Sequence, residues 1–201
     1  MKQTVGFAIT AALALLACGG PEGVSPGPDL YMPAPTRPKI VLHNVEEAFD
    51  ARHIKILKAN LSNDFTFYFK AEDVGARVNG YVIPVSWTEA EMRRAAGHLF
   101  DRASRCSMGI DYREIPDPGS GANTFRANEV YLTFFVFVDE YSGYEVDYGY
   151  CNFEFESYAG EEGERWWRLT AWEDFTTTEP PPGGDQLKDN TLGRILARYY
   201  N

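Results

Sequence analysis

The stretch that decides the fold is residues 129–175, EVYLTFFVFVDEYSGYEVDYGYCNFEFESYAGEEGERWWRLTAWEDF. Its first ten residues are apolar at nearly every position, so both faces of a strand there would be apolar and the strand would be central. Gly143 closes one turn, and residues 160–163 (GEEG) form another. The pattern predicts three long antiparallel strands. The third strand carries its apolar face on Trp167, Leu169, Ala171 and Phe175.

The residues before this stretch predict helices that cover one face of the sheet. Apolar residues recur at helical spacing from Ile40 to Leu61, with a break at residues 50–53, which indicates two short helices. Residues 64–70 (DFTFYFK) alternate as a half-buried strand. Residues 87–103 form the clearest helix, in which Thr88 and Glu91 make a capping box. A strand follows from about residue 106 to residue 115.

This order of elements resembles the nuclear transport factor 2-like superfamily, also called cystatin-like or ketosteroid-isomerase-like cones. The local carriers are VEEAFDARH at 45–53, LSNDFTF at 61–67 and WRLTAWED at 167–174. The resemblance implies an α+β fold, a strongly bent, mixed, mostly antiparallel sheet wrapped around N-terminal helices. It also implies a conical cavity, which some members use as an enzyme site and many use as a binding pocket or dimer face.

The N-terminus reads as an export signal. Lys2 precedes an apolar run at residues 5–17 that is too short to span a bilayer as a stable helix. Residues 15–19 (LLACG) resemble the lipobox of bacterial lipoproteins, which implies cleavage before Cys18, diacylglycerol on its sulfur and an acyl chain such as palmitate on the new N-terminus. Gly19 after the cysteine resembles lipoproteins sent to the outer membrane. An ordinary secretory signal with a cysteine near the cut is the alternative.

These features divide the chain into three parts. Residues 1–17 are the signal peptide, and residues 18–38 are the lipidated cysteine with a linker rich in Pro and Gly. Residues 39–201 form a single domain whose tail, residues 176–201, docks on it. Thr191 is suited to cap a last helical turn in that tail.

Charge and cysteines restrict the partners. The net charge of −10 repels phosphate backbones, so we expect no nucleic-acid binding. Cys106 and Cys151 are an even pair in the body of an exported chain, and they form either a disulfide or two buried free thiols.

Aromatic residues are the main candidates for a pocket, while candidates for catalysis are few. The pocket candidates are Tyr68, Trp87, Tyr131, Phe135, Tyr150, Trp166 and Trp172. His43, His53 and His98 all fall on predicted helices, where an exposed or structural histidine is favoured over a base. Asp147 could point inward as a base, but its acidic neighbours favour a solvated edge. No metal or cofactor motif is present in the sequence, and no catalytic residue is predicted.

We therefore predict a lipid-anchored lipoprotein of the cell envelope that faces the periplasm, with a non-enzymatic binding or interaction module. Its partners would be the membrane, through the anchor, and a small apolar ligand or an envelope protein. The alternative is a small isomerase, dehydratase or hydrolase with an ionisable residue in the cone. A homodimer through the sheet face is a third possibility.

Overall fold

The computed structural model describes residues 32–139, 142–160, 163–177 and 190–201. These residues belong to one compact unit, Met32–Asn201. The helices are α1 Pro38–Asp50, α2 Ile54–Asn60, α3 Glu89–Arg102 and α4 Leu192–Ala197. The strands are β1 Leu61–Tyr68, β2 Arg77–Val78, β3 Tyr81–Val82, β4 Ser86–Thr88, β5 Arg105–Ile110, β6 Thr124–Phe137, β7 Gly143–Val146, β8 Tyr148–Ala159 and β9 Arg165–Thr177.

The main sheet is mixed and mostly antiparallel, as predicted. Its strand order is β4-β1-β9-β8-β6-β5, and β7 pairs with the part of β6 that extends beyond β8. The meander β6-β8-β9 is antiparallel throughout. The β1–β9 pair is parallel, which joins the N-terminal strand to the last strand of the meander. The predicted fold class is therefore confirmed.

Register shifts bend the sheet. One lies between Ala127 and Val130 where β6 meets β8, and another lies between Glu154 and Phe155 where β8 meets β9. At the first of these, Glu129 has a φ of 55° and its backbone N–H donates to Asn152 Oδ1 at 2.8 Å. Bulges of this kind bend a strand and increase its twist, which curves the sheet around the helices.

The helices fill the concave side. Thr88 and Glu91 form the predicted capping box of α3. The buried residues of this helix recur at helical spacing and are Met92, Ala95, Ala96, Leu99 and Phe100. Helix α3 packs against β1, while α1 packs against β5 and β9. The ring of Phe49 on α1 makes edge contacts with Phe100 on α3 and Phe134 on β6, at 5.2 and 5.6 Å between centroids. One core therefore joins both helices to the meander.

β6 has a neighbour on each side, as a central strand does, but the described residues cover only one of its faces. Its residues Val130, Leu132, Phe134 and Val136 are at most 4% exposed, but Tyr131 and Phe137 on the other face are 44% and 43% exposed. The apolar alternation was real, but no element of the described chain covers the outer face.

Several boundaries also differ from the prediction. β1 begins at Leu61 rather than at residue 64, because the Asn60 side chain hydrogen-bonds the Ile56 carbonyl and ends α2 one residue earlier. β5 ends at Ile110, where the chain leaves β6. The second of the three predicted long strands, which follows the turn at Gly143, is interrupted at Asp147, and this break separates β7 from β8.

Candidate functional site

The predicted pocket residues do not line one pocket. Trp87 and Trp172 are 1% and 0% exposed and lie in the core. Tyr68 is on the outer face of β1 opposite Glu173, and Phe135 is half-buried on β6 opposite Ser107 of β5 and Glu145 of β7. Trp166 is half-buried and makes an edge contact with Tyr158. The structure brings together only Tyr131 and Tyr150 of this set.

Tyr131 and Tyr150 line a concavity on the outer face of the sheet, which we call the aromatic groove. It has a volume of about 500 Å³. The lining residues are Lys70, Glu129, Tyr131, Tyr148, Gly149, Tyr150, Phe175 and Thr177. Tyr131, Tyr150 and Phe175 are neighbours across β6, β8 and β9, and the rings of Tyr150 and Phe175 stack at 5.1 Å with 26° between their planes. The groove is thus a row of rings across three strands.

A glycine shapes the floor of the groove. Gly149 has a φ of 97°, which side chains rarely tolerate, and lies opposite Thr176. A Cβ at this position would be 2.6 Å from the Phe175 carbonyl oxygen. Gly149 therefore lets β8 approach β9 closely between the rings of Tyr148 and Tyr150. The Tyr131 hydroxyl donates to the Asp147 carbonyl, which fixes the third ring.

A polar network lies beside the groove on the same face. Arg126 makes ion pairs with Glu154 at 2.5 Å and Glu173 at 2.8 Å. Asn152 donates to Glu173 at 2.8 Å and accepts from the backbone N–H of Glu129 at the rim of the groove. The network fixes the bulge that carries Glu129, so one end of the groove has a polar, ordered border.

The interior of the sheet is packed with other aromatic residues. The Trp87 ring lies 4.6 Å from Phe69 and 5.2 Å from Tyr200, and its indole N–H donates to the Tyr81 hydroxyl at 2.7 Å. Trp172 packs against Phe153 at 5.1 Å. Both tryptophans therefore act as core residues.

Sequence reasoning missed one buried ionisable residue, Asp174. Its Oδ1 accepts from the backbone N–H of Thr176 at 3.0 Å and from the Thr176 hydroxyl at 2.6 Å. Its Oδ2 accepts from the backbone N–H of Gly193 at 2.7 Å. Burial raises its pKa to about 6, although these hydrogen bonds favour the charged form. Oδ2 thus holds α4 directly, while Oδ1 orients Thr176, whose hydroxyl oxygen accepts from the backbone N–H of Leu192 at 2.8 Å, so the role of Asp174 is structural.

Alternation along β9 could not reveal Asp174. The sequence pattern placed Phe175 on the inner face with Leu169, but the register shift between Glu154 and Phe155 of β8 moves β9 out of phase. Beyond the shift, Trp172 and Asp174 point inward and Phe175 points outward. Since one extra residue exchanges the two faces of a strand, the error affects every residue after the bulge.

The histidines have structural partners. His53 Nδ1 accepts from the backbone N–H of Ile56 and caps α2, and His98 Nδ1 lies 2.9 Å from the Tyr199 carbonyl. His43 Nδ1 lies 3.1 Å from the Tyr112 hydroxyl on the flank of α1. This pair is half-buried beside Glu46.

Glu46 and Asp50 on the same flank protect the edge of the sheet. Burial, followed by the Asp50 carboxylate, raises the pKa of Glu46, whereas a hydrogen bond from the Ile110 backbone opposes that shift. Asp50 accepts from the Met108 backbone at 2.6 Å. The two carboxylates thus satisfy alternate N–H groups of β5, which is an edge strand. Asp147 is half-buried at the break between β7 and β8, so it does not enter the core.

The two body cysteines are free and buried. Cys106 is opposite Val136 and Cys151 is opposite Val130, on the two sides of β6. Six residues along a strand correspond to roughly 20 Å, well beyond the reach of a disulfide. Burial raises the pKa of Cys106 to about 11 and that of Cys151 well above its usual value, so both thiols are protonated at neutral pH.

The described residues contain no group of three or more His, Cys, Asp or Glu side chains that could hold a metal ion. No helix among them has both the length and the apolar character needed to cross a membrane. The predicted lipid site Cys18, the signal peptide and most of the linker lie outside the described residues.

No protein-family model matches the sequence, and no curated protein matches it. Solved structures do match it. A conserved protein from Planctomyces limnophilus superposes with a TM-score of 0.51 at 14% identity, over 68% of this chain and 90% of that chain. This likeness shows a shared fold.

Two other similar structures have more specific names. A nuclear transport factor 2-like superfamily protein from Salmonella enterica has a TM-score of 0.42 at 11% identity, over 74% of this chain and 92% of that chain. A putative aromatic ring hydroxylase from Novosphingobium aromaticivorans has a TM-score of 0.40 at 12% identity, over 78% of this chain and 91% of that one.

Proposed function

We propose that this protein is a lipid-anchored lipoprotein of the bacterial cell envelope whose cone-fold domain binds a small apolar, ring-containing ligand in the aromatic groove, without catalysis. The observation that carries the proposal is the exposure of Tyr131, Tyr148, Tyr150 and Phe175 side by side, between 37% and 56% each. Large contiguous exposed apolar patches mark ligand-binding grooves or interaction sites.

The geometry suits a flat ligand. A ring placed over Tyr150 or Phe175 would extend the existing stack, and offset stacking is worth about 0.5–1.5 kcal/mol per pair beyond the buried area. A volume near 500 Å³ is in the range of small-molecule sites. Lys70 and Glu129 at the border could orient a polar substituent of the ligand.

The absence of catalysis in this proposal rests on the positions of the ionisable groups. Both oxygens of Asp174 are occupied by hydrogen bonds from Thr176 and Gly193, and the His43–Tyr112 pair is on the flank of α1 rather than at the groove. A general base must lie within hydrogen-bond reach of its substrate. Among the residues that line the groove, only Lys70 and Glu129 have charged side chains.

A binding titration tests the groove. We would titrate residues 32–201 with N-phenyl-1-naphthylamine, a neutral apolar fluorophore, and compare the wild type with the double variant Tyr150→Thr/Phe175→Thr. Threonine keeps strand propensity while it removes both stacked rings. We expect at least tenfold weaker binding, because two stacking contacts of about 1 kcal/mol each are lost.

The matched control is Phe137→Thr, which removes an aromatic residue of similar exposure outside the groove. Equal affinity of the wild type and the double variant would refute the groove as the site. If sedimentation shows a wild-type dimer that the double variant abolishes, the face belongs to a second copy instead.

The anchor has its own test. We expect cells fed a radioactive fatty acid to label the wild-type protein and a Ser25→Ala linker control, but not Cys18→Ala. Label that persists in Cys18→Ala would contradict the anchor. The proposal rests here on the lipobox-like residues 15–19.

A further inference from the structure

A second concavity, which we call the basic pocket, lies between α2, β1, α3 and β9. Its volume is about 480 Å³. Four of its lining side chains are cations, Lys55, Lys58, Arg93 and Arg168, and a single carboxylate, Glu89, lies among them. None of these residues belongs to the aromatic groove.

The charge of this pocket opposes that of the chain. The sequence has 29 acidic and 19 basic residues, yet four basic residues meet here around one acid. Like charges held together repel one another, so a bound anion would stabilise such a cluster. Arg93 and Glu89 are only loosely paired at 3.6 Å. Within the described ranges, Lys55 and Lys58 have no ion-pair partner.

Arg168 is the most fixed of the four cations. Its guanidinium lies 4.1 Å from the centre of the Tyr158 ring, a cation–π contact that orients its plane. Its Nε is buried and lacks a hydrogen-bond partner among the described residues. Glu156, its neighbour across β8, makes no ion pair with it. A guanidinium whose plane is fixed, and which makes no hydrogen bond or ion pair among the described residues, is suited to an anion.

The arrangement of the cations indicates the kind of anion. The guanidinium fork matches the oxygens of a phosphate in two parallel hydrogen bonds, while lysines act as mobile point charges around it. Lys55 and Lys58 are three residues apart on α2 and therefore lie on the same side of the helix. We propose that the basic pocket binds a phosphoryl group, presented either by a soluble phosphate ester or by a lipid headgroup.

Calorimetric titration of the full chain with inorganic phosphate tests the proposal. We expect saturable binding that weakens as salt is added. Lys55→Gln/Lys58→Gln and, separately, Arg168→Gln should each lower the affinity at least tenfold. The lysine pair is exposed, so its double variant leaves the core intact even if Arg168→Gln loses stability.

The matched control is Arg105→Gln/Arg113→Gln, which makes the same change of net charge at two exposed positions outside the pocket. It should leave the affinity within twofold. An equal loss in the control and in the lysine variant would mean that only net charge matters and would overturn the proposal. The groove variant Tyr150→Thr/Phe175→Thr should bind phosphate normally, so failure of one site is distinguishable from failure of the other.

Vesicles separate the two sources of phosphate. The Cys18→Ala chain, which lacks the proposed anchor, is mixed with phosphatidylcholine vesicles with or without phosphatidic acid. Binding to phosphatidic acid that depends on Lys55 and Lys58 assigns a lipid headgroup, and binding to inorganic phosphate alone assigns a soluble ester. Binding to neither probe would refute the proposal.

Discussion

Asp174 is a buried residue that joins the last strand of the sheet to the C-terminal helix. It is 1% exposed and links β9 to α4 through Thr176 and the backbone of Gly193. Gly193 must remain a glycine at this junction, since a Cβ would lie 2.6 Å from the Phe69 ring. Asp73 holds the same helix from the other side, accepting from the Thr191 hydroxyl and pairing with Arg194. The C-terminal helix therefore depends on two carboxylates.

The raised pKa of Asp174 predicts a pH dependence of stability. Its pKa is about 6 in the folded state, against an ordinary value near 3.8, so the folded state holds the proton more tightly. The resulting stabilisation is fully present below pH ~4 and is lost as the pH rises through ~6; a shift of two units corresponds to about 3 kcal/mol. Asp174→Asn should lose this dependence.

Urea unfolding at several pH values measures the effect. We expect the free energy of unfolding of the wild type, relative to Asp174→Asn, to increase as the pH falls from 7 to 4. Asp101→Asn, at an exposed position, is the control for general charge effects. A difference between wild type and Asp174→Asn that stays constant over this range would show that Asp174 titrates normally.

At the scale of elements, local signals predicted helices better than strand faces. The capping box of Thr88 and Glu91 and the cap at Thr191 lie within four residues of the helices that they begin, so the sequence contains the whole interaction. The parallel β1–β9 pair joins residues about a hundred positions apart. The sequence pattern did not predict this pair, and the resemblance to a known fold predicted only that the sheet is mixed.

The inner faces of β1 and β6 were predicted correctly, but the faces of β9 after its bulge were not. Alternation assigns the buried residues of β6, but it cannot say whether the other face is covered, since exposed Phe137 and buried Phe134 are the same residue type. A bulge adds a second ambiguity, because the residues that follow it point to the opposite faces of the strand. For this reason the alternation in the sequence did not indicate that Asp174 is buried, and it placed Phe175 on the wrong face. Of the aromatic groove, the sequence therefore predicted two residues, Tyr131 and Tyr150, but not their partner.

In the whole molecule, the exposed aromatic surface lies apart from the cluster of cations. Aromatic side chains such as Trp87 and Trp172 fill the concave side, while the row from Tyr131 to Phe175 remains on the outer face of the meander. Cations collect at the basic pocket, away from that row. The resemblance implies a cavity inside the cone as the usual binding site. We propose instead that the apolar ligand binds on the outer face of the sheet.

We propose above all that the aromatic groove binds a ring-containing ligand. The most direct measurement is mass spectrometry of small molecules retained by the protein purified under non-denaturing conditions, compared with the variant Tyr150→Thr/Phe175→Thr. We expect the wild type and Phe137→Thr to retain an apolar compound at about one equivalent per protein, and we expect the double variant to lose it. Retention of the same compound by the double variant, or of none by the wild type, would contradict it.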